Sequence, residues 1–283
     1  MPGPAGTRRI DAHHHLWDLG RRPQPWMSGP GLDRIARTFD FAELEPLLDE
    51  HGVDATVVVQ SSSSPDETRE LLETAAGSGG RVAGVVGWAD LTDPALPDAL
   101  ASLTGPLVGV RHQVQDEADP WWLARADVRR GLASVAAAGL VYDLLVTPRE
   151  LPAALGAAAA LPGLRFVLDH AGKPPIASGG WEQWAPQVTA LAALPNVVCK
   201  LSGLVTEADR SGWEPAGLLP YARHVLDVFG PGRVMFGSDW PVCTLAASYG
   251  DVLSLAAEAA SGLSAAESGA VFGGTAAAVY GLG

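Results

Sequence analysis

Residues Arg9–Asp18 read RIDAHHHLWD. A short β-rich run ends here in consecutive histidines. An open doubly wound sheet would more often carry a Gly-rich phosphate loop after its first strand. Imidazoles in that place turn the reading toward a closed barrel. The run is too short and too embedded in apolar sequence to be an affinity tag.

Working outward, seven further stretches have the same build: DATVVVQ (54–60), RVAGVVGWADL (81–91), LVGVRHQV (107–114), LVYDLLVTP (140–148), LRFVLDHAG (164–172), NVVCKLSGL (196–204) and RVMFGSDWPV (233–242). Between them lie segments of helical period such as FAELEPLLDEHG (41–52), SPDETRELLETAAG (64–77) and PRELPAALGAAAALPG (148–163). Several open on Ser, Asp or Pro and stop at Gly, as helix ends do. Near-continuous apolar strands suit a parallel sheet covered on both faces. Eight such units in 283 residues predict an α/β chain folded as one (β/α)8 TIM barrel. The domain is expected to span 1–283, with residues 1–8 as a flexible lead.

Composition removes whole classes of function. The net charge of −13 comes with no local basic patch, so a nucleic-acid partner is not expected. No apolar run approaches the roughly 18 residues of a membrane span, and the first residues hold no signal-like apolar core. Cys199 and Cys243 are too few for a disulfide framework. A cytoplasmic protein is the expectation; the oligomeric state is not legible.

Polar residues gather where the strands end: His13 and His15, Gln60, Trp88 and Asp90, Arg111 and His112, Asp143, His170, Lys200 and Asp239. That is the face on which barrel enzymes build their sites. Strand alternation sends His13 and His15 to one side and His14 to the other. The H-x-H pair alone reads equally well as a strand end satisfied by backbone. With His170 from the sixth strand and Asp239 from the eighth, the set converges, because strands one and eight are neighbours in a closed barrel. A carboxylate beside imidazoles can stay ionised and take a proton from water.

The motifs DAHHHLWD, GVRHQ, DHAGKP, CKLSGL and FGSDWPV, in this order across Arg9 to about Gly281, resemble the amidohydrolase superfamily. The resemblance is to its lactonase branch, in amidohydrolase-related family 2, which holds fucono-, rhamnono- and pyrone-dicarboxylate lactonases. It implies a hydrolase that opens a small sugar-derived lactone to its hydroxy acid. Asp239 would activate water, while His13, His15 and His170 would polarise the carbonyl or hold an ion. Superfamily members with two metals bridge them by a modified lysine on a middle strand. Here the only lysines are Lys173 and Lys200, so a bridged pair is not expected. The resemblance requires no metal; at most one divalent ion, zinc, would sit on His13, His15, His170 and Asp239.

For the substrate, Arg111 or His112 (alternation turns only one inward) and Lys200 are the candidate cations. Gln60 and Asp143 are candidates for sugar hydroxyls. Trp17, Trp26 and Trp240 are candidates for stacking on a sugar ring. A single arginine favours a neutral lactone over a dicarboxylate. The rival readings are a zinc-dependent decarboxylase or amide hydrolase of the same superfamily, and a non-catalytic sugar-binding barrel.

Overall fold

Alternating strands and helices build the barrel in the computed structural model, which describes residues 8–283. The strands are β1 Ile10–His14, β2 Ala55–Val59, β3 Val82–Gly87, β4 Leu107–His112, β5 Val141–Leu144, β6 Phe166–Leu168, β7 Val197–Leu201 and β8 Val234–Phe236. All pair in parallel in chain order, one neighbour to the next. Helices follow each strand on the outside: α1 Phe41–Glu50, α2 Pro65–Gly77, α3 Leu96–Ala101, α4 Ala126–Ala137, α5 Leu151–Ala160 and α6 Trp181–Ala192. α7 Leu204–Glu207 and α8 Pro215–Phe229 follow β7; α9 Tyr249–Ala259, α10 Ala265–Gly269 and α11 Thr275–Tyr280 complete the chain. The expected (β/α)8 barrel is what forms. The expected flexible lead lies, apart from Arg8, outside the described residues.

The seam between β8 and β1 closes just past the end of β8. Asp239 N donates to His13 O at 2.8 Å, and His15 N donates to Trp240 O at 2.7 Å. Asp11 Oδ1 also accepts from Ser238 N at 2.8 Å, tying the side chain of one strand to the backbone after the other. The β1 ladder stops at His14, part-way through the RIDAHHHLWD stretch, where the backbone turns into this seam.

The interior is layered. Val57, Val86, Val141, Val167, Val198 and Met235 form one apolar cluster with Tyr280 of α11, separate from the larger core beneath the outer helices. Each such valine contributes about 1.5–3 kcal/mol by leaving water. Two residues on, the same inward face carries Asp143, Asp169 and Lys200, as the period of two requires. The histidines lie above this charged layer.

Candidate active site

β1 delivers its imidazoles to opposite faces, as alternation demands. His13 and His15 meet at 3.1 Å between their Nε2 atoms, while His14 Nε2 turns away to Thr56 Oγ1 at 3.0 Å. His15 Nδ1 lies 2.7 Å from the carbonyl of Val59. A carbonyl only accepts, so this nitrogen carries the hydrogen and Nε2 keeps its lone pair. His170 pairs its Nδ1 with Ser202 Oγ at 2.9 Å, leaving Nε2 free as well. Asp239 Oδ1 receives all three rings, at 3.5 Å from His15, 3.8 Å from His13 and 3.9 Å from His170.

The chain strains itself to reach this arrangement. β6 and β8 end two residues or more before the functional side chains, and both His170 (φ 52) and Asp239 (φ 58) adopt left-handed backbone. Each such non-glycine residue costs about 1–3 kcal/mol, and such costs concentrate at working sites. Glycines make room for the rings. A Cβ on Gly203, itself at φ +67, would sit 2.6 Å from His170 Nδ1, and one on Gly237 would sit 2.6 Å from His13 Cβ.

Burial and neighbours set the charges. Burial alone would raise Asp239, but His170 and His15 outweigh it and the carboxyl is held below its usual range. Burial lowers His170 to about 4. Burial, reinforced by the Lys200 ammonium, pushes His13 well below its ordinary value. At neutral pH the centre therefore holds an ionised carboxylate beside two neutral rings, His13 and His170, with the Nε2 atoms of all three histidines directed at it. Such a set is complementary to a cation. Around a tetrahedral zinc with bonds of about 2.0–2.1 Å, ligand atoms lie about 3.3 Å apart. Here the donor atoms of His13, His170 and Asp239 all lie within 4.8 Å of one another, and His15 touches two of the three residues. The residues fit one divalent ion.

Below the centre sits a layer of full charges from four adjacent strands. Arg111 Nη1 lies 3.0 Å from Asp169 Oδ2 and 3.4 Å from His13 Nε2. Lys200 Nζ reaches Asp143 Oδ2 at 2.5 Å, Asp169 Oδ1 at 3.1 Å and His13 Nδ1 at 3.1 Å. Burial would raise Asp169, yet Lys200, His13 and Arg111 together bring it well below its ordinary value. Two cations and two anions cancel.

Residues 10–282 match the Amidohydrolase family. This chain belongs to it. An L-fucono-1,5-lactonase of Burkholderia multivorans is 46% identical over 293 residues, covering 98% of this chain and 97% of that protein. A second L-fucono-1,5-lactonase, from Burkholderia ambifaria, is 47% identical over 249 residues, covering 87% and 84%. A Burkholderia multivorans amidohydrolase solved with bound zinc superposes with a TM-score of 0.94 at 45% identity, covering 98% of this chain and 100% of that one.

Several expected substrate contacts of this amidohydrolase are instead internal. Lys200 is fully buried and all three of its donors face protein groups, so it has none for a substrate. Asp143 accepts from Lys200 and from the Tyr280 hydroxyl, 3.0 and 2.9 Å from its two oxygens, and lies toward the barrel floor. Gln60 exchanges hydrogen bonds with Gln113 and donates to Arg111 O at 3.0 Å. The choice between Arg111 and His112 resolves to Arg111. His112 turns out to stack on Trp122, centroids 4.3 Å apart, with Trp88 Nε1 donating to it and Glu117 beside it. In each case a polar strand end found a partner within the fold.

The aromatic candidates divide. Trp17 stacks on His15 at 6.3 Å and 29°, and its edge meets Trp26, which is 39% exposed. A cavity of about 310 Å³ reaches Trp17 from between the β1 loop and α2, passing Arg22 and Gln24, without touching the four central residues. The Trp240 ring is buried against Phe39, so this residue acts through its backbone at the seam rather than as a platform. Sequence reasoning missed Asp169, Ser202 and Tyr280. Asp169 was visible as a charge in an apolar strand beside His170; Ser202 shares CKLSGL with Lys200; nothing local marks Tyr280.

Proposed function

We propose that this amidohydrolase is a lactonase that opens a small neutral sugar lactone to its hydroxy acid. The carrying observation is the ionised Asp239 carboxylate at the focus of three imidazole Nε2 atoms. A six-membered aldonolactone of the fuconate kind, on which the Burkholderia relatives are named, is the first substrate to test. Arg111 is the only buried arginine among the described residues, which supports a neutral lactone over a dicarboxylate. The two unpaired cysteines support a cytoplasmic setting.

Asp239 takes a proton from water as the water oxygen attacks the lactone carbonyl. The Arg111 guanidinium, 3.4 Å from His13 Nε2, contributes positive potential where negative charge grows on that oxygen. When the tetrahedral intermediate collapses, the bond from carbonyl carbon to ring oxygen breaks. The ring oxygen then leaves as an alcohol, receiving the proton from Asp239 directly or through His170. Held by His13, His170 and Asp239 with His15 alongside, one divalent ion such as zinc would polarise the carbonyl and acidify the water. His15 and His170 are fixed for either task by the partners of their Nδ1 atoms, Val59 O and Ser202 Oγ.

A panel of aldonolactones followed by proton release, with and without chelator, tests the reading. Turnover of at least one six-membered lactone is expected, reduced but measurable after chelation. Asp239→Asn should fold normally and lose about 10²–10⁴-fold in kcat. No turnover of any aldonolactone would remove the assignment; an Asp239→Asn enzyme at the wild-type rate would remove the mechanism.

A further inference from the structure

The charged layer is anchored from the far end of the barrel. Tyr280, on the last helix α11, plugs the floor with its ring and sends its hydroxyl up to both oxygens of Asp143. Asp143 in turn holds Lys200, whose ammonium lies 5.6 Å from the centre of the Tyr280 ring. The contacts run without a gap: 2.9 Å from Tyr280 Oη to Asp143, 2.5 Å to Lys200 and 3.1 Å to His13 Nδ1.

At the upper end two groups compete for His13 Nδ1. Lys200, at 3.1 Å, can only donate to it. Asp169 Oδ1, at 3.3 Å, can only accept, and it is buried with no well-aligned donor of its own. If Lys200 prevails, the ring hydrogen sits on Nε2 and points into the active site. If Asp169 prevails, the hydrogen sits on Nδ1 and the Nε2 lone pair faces His15, His170 and Asp239. The position of Lys200 decides between them, and its shortest contact is to Asp143.

We propose that Tyr280 and Asp143 are positioning residues for the lactonase reaction. Together they draw the Lys200 ammonium toward the barrel floor, so that His13 donates to Asp169 and presents its Nε2 lone pair to the site. This inference rests on the lactonase reading for its consequence in turnover, but the state of His13 can be measured without any substrate. The Tyr280 hydroxyl has no contact with the four central residues, so its influence must pass through Asp143 and Lys200.

The test uses full-length protein with ¹⁵N-labelled histidine, wild type and Tyr280→Phe, both stripped of metal. The wild-type His13 signals are expected in the Nδ1–H form and those of Tyr280→Phe to shift toward Nε2–H. Zinc affinity by titration and kcat should each fall about tenfold, with KM within twofold, as losses behind a ligand histidine do. Asp143→Asn should show the same signature, and the double variant should be no worse than the more severe single one. A purely structural role would lower the melting temperature and leave the His13 signals and zinc affinity where they were. That result, or additive losses in the double variant, overturns the proposal; should Tyr280→Phe not fold, Asp143→Asn alone decides it. An inactive wild type with the expected His13 signals would count against the lactonase reading and leave the positioning intact.

Discussion

Two neighbouring layers of the barrel interior hold comparable densities of ionisable groups under the same burial, and they differ in how those groups are spent. In the lower layer Arg111, Lys200, Asp143 and Asp169 answer one another, cations to carboxylates. In the upper layer the Nε2 atoms of His13, His15 and His170 converge on the Asp239 carboxylate, with each Nδ1 already engaged elsewhere. The lower layer spends its charges mainly on itself and reaches the site chiefly through the Arg111 edge beside His13 Nε2. The upper one is stable only because its far side is braced, and its shared focus is where a proton, an ion or a carbonyl oxygen gains most. Burial and charge do not separate structural from functional polar groups; the balance of donors and acceptors does.

The contrast is tested most severely by removing one charge from each layer. Lys200→Met leaves two buried carboxylates facing one another across Arg111. It should cost about 3–5 kcal/mol of stability, read as a lower urea midpoint. Asp239→Asn should cost far less stability while nearly abolishing turnover, since its carboxylate has no Lys or Arg in direct contact to leave unpaired. If both substitutions destabilise equally, the upper layer is as structural as the lower and the distinction fails.

A smaller effect probes the bracing of the upper layer. Ser202→Ala removes the partner of His170 Nδ1 without touching the focus. Loss of such support behind a ligand histidine costs about 10–100-fold in metal affinity or activity. Zinc titration of the variant should show a loss in that range, with the melting temperature little changed. Unaltered affinity would mean that the left-handed backbone at His170, rather than the hydroxyl, fixes the ring.

Much of this was legible in the residue order, and the illegible part has a physical cause. Strand periodicity and helix-end residues predict the barrel because each is a local property. The sidedness of His13, His14 and His15 follows from alternation alone, and barrel closure brings Asp239 to them from 224 residues away. The same logic misleads at Lys200, Asp143 and Gln60. A polar residue at a strand end looks identical whether it faces a substrate or a neighbouring strand's opposite charge, and only the register decides. β4 sets Arg111 beside Asp143, and β6 sets Leu168 beside Cys199 of β7, which puts Asp169 level with Lys200. Tyr280 was invisible for a stronger reason: its partner is 137 residues away and its helix reads as ordinary packing.

The smallest effect concerns the histidine that belongs to neither layer. His14 is wholly buried, hydrogen-bonded to Thr56 through Nε2 and without a partner at Nδ1. Burial, with His15 close by, lowers it to about 3 from an ordinary 6.5. Below pH 6.5 the unfolded chain therefore binds a proton that the folded chain refuses. His14 thus withdraws stability as pH falls, by about 1.4 kcal/mol per pH unit, until the folded ring titrates. His14→Gln keeps a polar group for Thr56 and abolishes this linkage. Relative to wild type, the variant should gain about 1 kcal/mol between pH 6.5 and 5.5, and only about 0.3–0.4 kcal/mol between 7.5 and 6.5, where the titration begins. Urea unfolding at those three pH values measures it. A difference between the two proteins that stays constant would show that His14 takes its proton inside the fold and that the outer face of β1 tolerates charge.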